Sequence, residues 1–129
     1  MFSLQQISQA HSQVKSGSDF PSYIRDLRSF GVTCYITYVT DGRTQYFGNN
    51  EYEITSPPKY GTIPIADECD PEQFENQLKA HQQGETDYPA FCNDCARTGI
   101  NKWVVCMQEM TCTYYDKAGR EILTEQIPA

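Results

Sequence analysis

The pattern of apolar and polar positions begins with a predicted helix near the N-terminus. Ser3 and Gln6 have the spacing of a capping box, in which each side chain accepts a hydrogen bond from a backbone N–H of the first turn. One face of this helix then carries, at helical spacing, Leu4, Ile7, His11 and Val14. We expect this face to pack against a core.

A second helix and three strands follow. The helix is predicted to begin at Asp19-Phe20-Pro21 and to end at Gly31, and its buried face consists of Tyr23, Ile24, Leu27 and Phe30. Strands are predicted, with the hairpin signal Asp41-Gly42 after the first of them, at residues 32–39, 44–47 and 51–55.

The same order of elements returns later in the chain. An offset of 68 residues places Pro21 on Pro89 and Gly31 on Gly99. The matching elements are a helix that opens at Asp70, a helix from Asp87 to Gly99, and strands at residues 100–107, 111–115 and 120–126. Prolines, glycines and apolar alternation agree in one register, which indicates an internal repeat.

The repeat predicts an α+β fold of two tandem α-α-β-β-β units. We place the units at about residues 2–55 and 70–126, joined by a connector at 56–69 in which residues 62–65 form a short edge strand. The chain of 129 residues has the size of one domain, so we treat 1–129 as a single domain. Antiparallel meanders that share a helical layer around a pseudo-twofold axis would bury the apolar face of every element.

Composition and charge exclude several classes of function. The net charge is -7 and the ten Lys and Arg residues are dispersed, so the chain lacks the basic cluster that binds nucleic acid. No segment is long and apolar enough to span a membrane, and the N-terminus lacks the pattern of an export signal, so we expect a cytoplasmic protein. There, the six cysteines would be reduced thiols.

Three segments carry a resemblance to a known family. They are residues 81–92, which read HQQGETDYPAFC, residues 102–105, which read KWVV, and residues 110–119, which read MTCTYYDKAG. The chain resembles the YbcV-like domain-of-unknown-function family, whose bacterial members are often labelled phage envelope protein. This resemblance covers nearly the whole chain and implies a small bacterial, prophage-associated protein, but it supplies no activity, cofactor or catalytic residue.

The two histidines are the first candidate site. His11 and His81 each follow an alanine and lie on the apolar face of the first helix of their unit. A pseudo-twofold axis would bring them toward one cleft, with Tyr23 and Phe91 at its wall, where neutral imidazole acts as acid, base or ligand. The alternative is that each histidine is a core group that donates one ring proton to a carbonyl.

Cys92 and Cys95 form the second candidate site, because a CxxC pair binds zinc or cycles through a disulfide. The offset of 68 residues places them on Ile24 and Leu27, which are buried-face positions of the equivalent helix. We therefore favour core packing over redox chemistry or metal binding. No motif for another cofactor is present, so we expect none.

The remaining polar clusters have structural explanations. Asp19 and Asp87 precede the second helices and are predicted N-caps. The acidic residues at 67–72 resemble a divalent-cation site, but they precede a helix, where carboxylates favour the positive end of the helix dipole. We interpret them as a solvated helix start.

Aromatic residues are abundant on the predicted strands and catalytic motifs are absent. The strand aromatics, which would line a ligand groove or a partner surface, are Tyr35, Tyr38, Tyr46, Phe47, Trp103, Tyr114 and Tyr115. The sequence therefore favours a non-enzymatic protein that binds a small molecule or a protein partner, with a homodimer as one form of that interaction. The alternative is a small enzyme or ligand sensor that uses the cleft near His11 and His81.

Overall fold

The computed structural model describes residues 2–14 and 19–127 and shows an α+β fold, as the sequence predicts. The helices in these residues are α1 (Leu4–His11), α2 (Phe20–Phe30), α3 (Pro71–Gln82) and α4 (Tyr88–Arg97). The strands are β1 (Val32–Tyr38), β2 (Thr44–Gly48), β3 (Glu53–Thr55), β4 (Ile100–Cys106), β5 (Thr111–Asp116) and β6 (Glu121–Gln126). Two helices followed by three strands thus occur twice along the chain.

Side chains cap three of the helices. The predicted capping box at Ser3 and Gln6 is present at α1, and Asp70 accepts a hydrogen bond of 3.1 Å from the backbone N–H of Gln73 at α3. Asp87 accepts one of 2.9 Å from the N–H of Ala90. Asp19 is the N-cap residue of α2, as predicted, but it has helical backbone angles and its side chain makes no cap hydrogen bond.

Helix α1 is shorter than its apolar pattern predicts. It ends at His11, and Val14 lies beyond it. The Ser12 hydroxyl donates a hydrogen bond of 2.6 Å to the carbonyl of Gln9, and a serine that bonds locally to the backbone competes with helix continuation. Within the described residues, no helix is long and apolar enough to cross a membrane.

The six strands form one antiparallel sheet in the order β3-β2-β1-β4-β5-β6. The two three-stranded meanders join at β1 and β4, where Ile36 pairs with Val104. These two residues are 68 positions apart, so a twofold axis relating the two halves of the sheet would pass between them. The duplication itself stays a prediction from the sequence.

The prediction of an edge strand at residues 62–65 is wrong. These residues belong to no strand, and the sheet ends at β3 and β6. Ile63 donates its N–H to the carbonyl of Thr40 at 2.6 Å, and Ala66 donates to that of Ala96 at 2.9 Å. Because these partners lie in a turn and at the end of α4, and because Pro64 has no N–H, the connector cannot form a ladder.

One face of the sheet and all four helices share the hydrophobic core. Alternate residues on the four central strands are buried on that face, namely Tyr35, Thr37, Thr44, Tyr46, Trp103, Val105, Cys112 and Tyr114. Helices contribute Ile7, Ile24, Leu27, Phe74, Leu78 and Phe91. The opposite face is partly exposed, and we call it the open face; it carries Cys34, Ile36, Tyr38, Phe47, Val104, Cys106 and Tyr115.

Candidate functional site

A cavity of about 870 Å³ lies between the helices and the buried face of the sheet. Four strand aromatics line it, one from each central strand: Tyr35, Tyr46, Trp103 and Tyr114. Helical residues that line it include Tyr23, Leu78 and Phe91. Its volume falls in the range of pockets that hold drug-sized molecules.

The four residues that the sequence nominates as a site all line this cavity. The His11 ring meets the Tyr23 ring edge to face, with a centroid separation of 5.3 Å. The His81 ring stacks on Phe91 with a centroid separation of 4.3 Å and an interplanar angle of 12°. Each half of the chain thus places one imidazole against one aromatic ring of its second helix.

A continuous row of rings connects the two histidines. Tyr88 lies 5.9 Å from His11 and 6.4 Å from Trp103, measured between ring centroids. Trp103 in turn lies 5.7 Å from Phe91, on which His81 stacks. The histidines therefore belong to one aromatic wall rather than to two separate sites.

The two halves line the cavity with equivalent positions. The 68-residue offset relates four aromatic pairs in the lining: Phe20 with Tyr88, Tyr23 with Phe91, Tyr35 with Trp103, and Tyr46 with Tyr114. The histidines are related by 70 residues, from His11 to His81. Every one of these pairs keeps an aromatic ring in both halves, so the cavity has similar walls on both sides of the sheet centre.

Burial keeps both imidazoles in the neutral form. It lowers the pKa of His11, with a further decrease from the positive charge of Lys59, and it lowers the pKa of His81. Nδ1 of His81 lies 3.1 Å from the carbonyl oxygen of Thr86, which can only accept a hydrogen bond. This carbonyl favours the neutral tautomer with its proton on Nδ1, and the Thr86 hydroxyl, 3.2 Å from the same nitrogen, can accept or donate.

These lowered pKa values predict a loss of stability in mild acid. The unfolded chain takes up protons near the ordinary histidine pKa of about 6.5, whereas the folded protein takes them up at lower pH. The free energy of unfolding should therefore fall as the pH drops below about 6.5, by at most about 1.4 kcal/mol per pH unit for each histidine.

Urea unfolding at a series of pH values from 7.5 to about 5.5, above the range where ordinary carboxylates titrate, measures this slope. The double variant His11→Phe, His81→Phe keeps both ring contacts and should have a shallower slope than the natural sequence. Equal slopes for the two proteins would contradict the assignment of neutral histidines.

A family model described as a protein of unknown function, DUF1398, matches residues 8–126. The chain belongs to the DUF1398 family. No curated protein matches the sequence. The residues of this DUF1398 protein that line the cavity all lie within or next to the matched range, since the last of them is Ile127.

Charged residues of the DUF1398 protein line the solvent-exposed edge of the cavity. Lys59 and Asp87 are both exposed, and the Lys59 ammonium lies 5.5 Å from the ring centre of Tyr88. Glu125 accepts a hydrogen bond of 2.9 Å from the amide of Gln82, and burial raises the pKa of its carboxyl group. The interior wall is aromatic and the charges are confined to this edge.

The tyrosine hydroxyls inside the cavity remain protonated at neutral pH. Burial raises the pKa of Tyr23, and the neighbouring Tyr46 adds to the increase. Burial likewise raises the pKa of Tyr46, Tyr35 and Tyr114. The cavity therefore offers neutral hydroxyl donors beside neutral imidazoles, and a ligand can be held there by hydrogen bonds without ionisation of the wall.

The CxxC pair of the DUF1398 protein lies away from solvent. Cys92 and Cys95 both have zero exposure, and burial raises the pKa of each thiol. In the part of the chain that the structure describes, no group of three or more metal-binding side chains forms a metal site. Both residues pack in the core against the sheet, at positions that match Ile24 and Leu27.

Two of the acidic residues before α3, Asp67 and Asp70, make contacts that explain them. Asp67 forms an ion pair of 2.8 Å with Lys117, which lowers the pKa of its carboxyl group, and Asp70 caps the helix. Both contacts are structural.

Sequence reasoning named the strand aromatics as one group without assigning them to a face, and it missed Lys59 and Tyr88. Tyr35, Tyr46, Trp103 and Tyr114 line the cavity, whereas Tyr38, Phe47 and Tyr115 lie on the open face. Tyr88 was detectable, because it aligns with Phe20 before a proline in both halves. Lys59 had no such signal, since the connector has no counterpart in the repeat.

Proposed function

We propose that this DUF1398 protein binds a small, largely apolar, ring-bearing molecule in the cavity between its helices and its sheet. The observation that carries the proposal is the convergence of both halves on one aromatic-lined cavity that contains His11 and His81. Flat rings on the wall offer stacking and edge contacts, and an enclosed apolar ligand gains affinity from the area removed from water.

The polar groups of the cavity favour a ligand that has a few hydrogen-bonding atoms. Neutral imidazoles accept or donate one hydrogen bond each, and the tyrosine hydroxyls do both. A pocket with a mostly apolar wall and a few convergent polar groups is typical of small-molecule sites. The same groups suit a ligand sensor, and an enzyme remains the alternative because a neutral histidine also serves as general base.

Fluorine NMR tests the proposal at a single site, because the chain has one tryptophan, Trp103, in the cavity wall. The protein is labelled with 5-fluorotryptophan and titrated with the neutral apolar probe N-phenyl-1-naphthylamine. We expect the single resonance to shift and to saturate at about one probe per chain, since one enclosed site buries the probe. An unmoved resonance at saturating probe would contradict the proposal.

A second candidate function uses the open face of the sheet. Its central pair, Ile36 and Val104, is apolar and partly exposed. The same face carries the rings of Tyr38, Phe47 and Tyr115, with Gln45 and Thr113 directly beside the central pair. Such a face suits a protein partner or a second copy of the chain in a homodimer. Sedimentation equilibrium that gives a monomer at high concentration would remove the homodimer. The prophage-associated setting that the resemblance to YbcV-like proteins implies is part of the same proposal, as is the cytoplasmic location expected from the sequence.

A further inference from the structure

Two cysteines lie directly opposite each other on the open face. Cys34 of β1 pairs with Cys106 of β4, and both are partly exposed. These are the two strands that join the halves of the sheet. A covalent bond between them would therefore link the two halves through the centre of the sheet.

The backbone hydrogen bonds between β1 and β4 show whether Cys34 and Cys106 form a hydrogen-bonded or a non-hydrogen-bonded pair. Met107 donates its N–H to the carbonyl of Thr33 at 3.0 Å, and Val39 donates to that of Asn101 at 3.0 Å. Hydrogen-bonded and non-hydrogen-bonded pairs alternate along an antiparallel ladder, so Cys34 and Cys106 form a non-hydrogen-bonded pair. In such pairs the Cα atoms are about 4.5 Å apart, which lies within the range that a disulfide spans.

We propose that Cys34 and Cys106 form a reversible disulfide when the protein meets a peroxide. The thiolate of one cysteine attacks hydrogen peroxide, which breaks the O–O bond and gives a sulfenic acid, with water as the other product. The second thiol then attacks the sulfenic sulfur and displaces a second water. Two electrons pass from the two thiols to one peroxide, and a dithiol reductant reverses the change.

The other four cysteines are less suited to this chemistry. Cys92, Cys95 and Cys112 are buried. Cys69 is partly exposed, but the burial of part of its side chain raises the pKa of its thiol. The nearby carboxylates of Asp116 and Asp70 raise that pKa further. Burial also raises the pKa of Cys34, so oxidation should be slow at neutral pH and faster as the pH rises.

The test treats the full chain with hydrogen peroxide, then blocks free thiols with iodoacetamide under denaturing conditions and measures the mass. The natural sequence should fall from six alkylated cysteines to four, and a digest should contain a crosslinked peptide joining Cys34 to Cys106. Dithiothreitol should restore all six. The oxidised protein should also melt roughly 5 °C higher, because the crosslink closes a long loop in the unfolded chain.

Matched variants identify the pair. Cys34→Ser and Cys106→Ser should each abolish the crosslink, whereas Cys69→Ser should form it as the natural sequence does. The proposal is overturned if all six thiols of the natural protein remain alkylatable, if the crosslink joins two chains, or if Cys34→Ser still loses two thiols.

Discussion

Replacing Gly99 with alanine should lower the free energy of unfolding by about 3 to 4 kcal/mol, because two independent costs combine at this position. Gly99 has φ of +89°, a conformation that side chains disfavour. An added Cβ would lie 2.6 Å from the Cα of Cys69 and 2.7 Å from the carbonyl oxygen of Glu68. Both are backbone atoms, so neither contact can be relieved by a side-chain rotation.

Gly119→Ala provides the matched control for this prediction. Gly119 has φ of +82°, but nothing lies within 4 Å of its added Cβ. It therefore carries the conformational cost alone, which is about 1 to 2 kcal/mol. Urea unfolding of both variants separates the two costs, and equal losses would show that the connector does not pack on Gly99 as described.

The Gly99 contact matters for the site because it fixes the connector that leads into α3. Asp70 donates its N–H to the carbonyl of Thr98 at 2.9 Å, next to Gly99, and then caps α3. Helix α3 carries Leu78 and His81 into the cavity wall. A glycine far from any candidate chemistry thus helps to position one of the two histidines.

The fold was largely predictable because periodicity and turn chemistry agree along most of the chain. Capping signals at Ser3, Asp70 and Asp87 each mark a helix start, and apolar runs, alternation and turn signals together mark the six strands. The failure at residues 62–65 has a tertiary origin, because the backbone N–H groups of Ile63 and Ala66 bond to Thr40 and Ala96 rather than to a strand. The sequence does not display these partners.

The candidate site was predictable only in part. The repeat brought His11, His81, Tyr23 and Phe91 together as a hypothesis, since equivalent helix positions meet near a symmetry axis. It gave no information on the size of the space between helices and sheet, because volume depends on how far apart the layers pack. The position of Lys59 at the cavity could not be predicted for another reason, because its connector has no periodic pattern and no counterpart in the repeat.

The most direct test of the cavity as a binding site is to fill it with a larger side chain from the buried face of the sheet. Thr37 lies beside the centre of the sheet, is buried and lines the cavity, whereas its neighbour Ile36 points to the open face. Thr37→Phe should place a ring in the space that a ligand needs. Ile36→Phe introduces the same ring on the other face of the same strand.

The deciding measurement is the affinity of the natural protein, Thr37→Phe and Ile36→Phe for N-phenyl-1-naphthylamine, titrated by probe fluorescence. We predict that Thr37→Phe weakens binding at least about tenfold, or about 1.4 kcal/mol, while Ile36→Phe binds as the natural protein does. Thr37→Phe removes the buried hydrogen bond of 3.0 Å between the hydroxyls of Thr37 and Thr44. It should still remain folded in urea unfolding, because the added ring fills a cavity. Equal affinities for all three proteins, or weaker binding by Ile36→Phe alone, would contradict the account and place the probe outside the cavity.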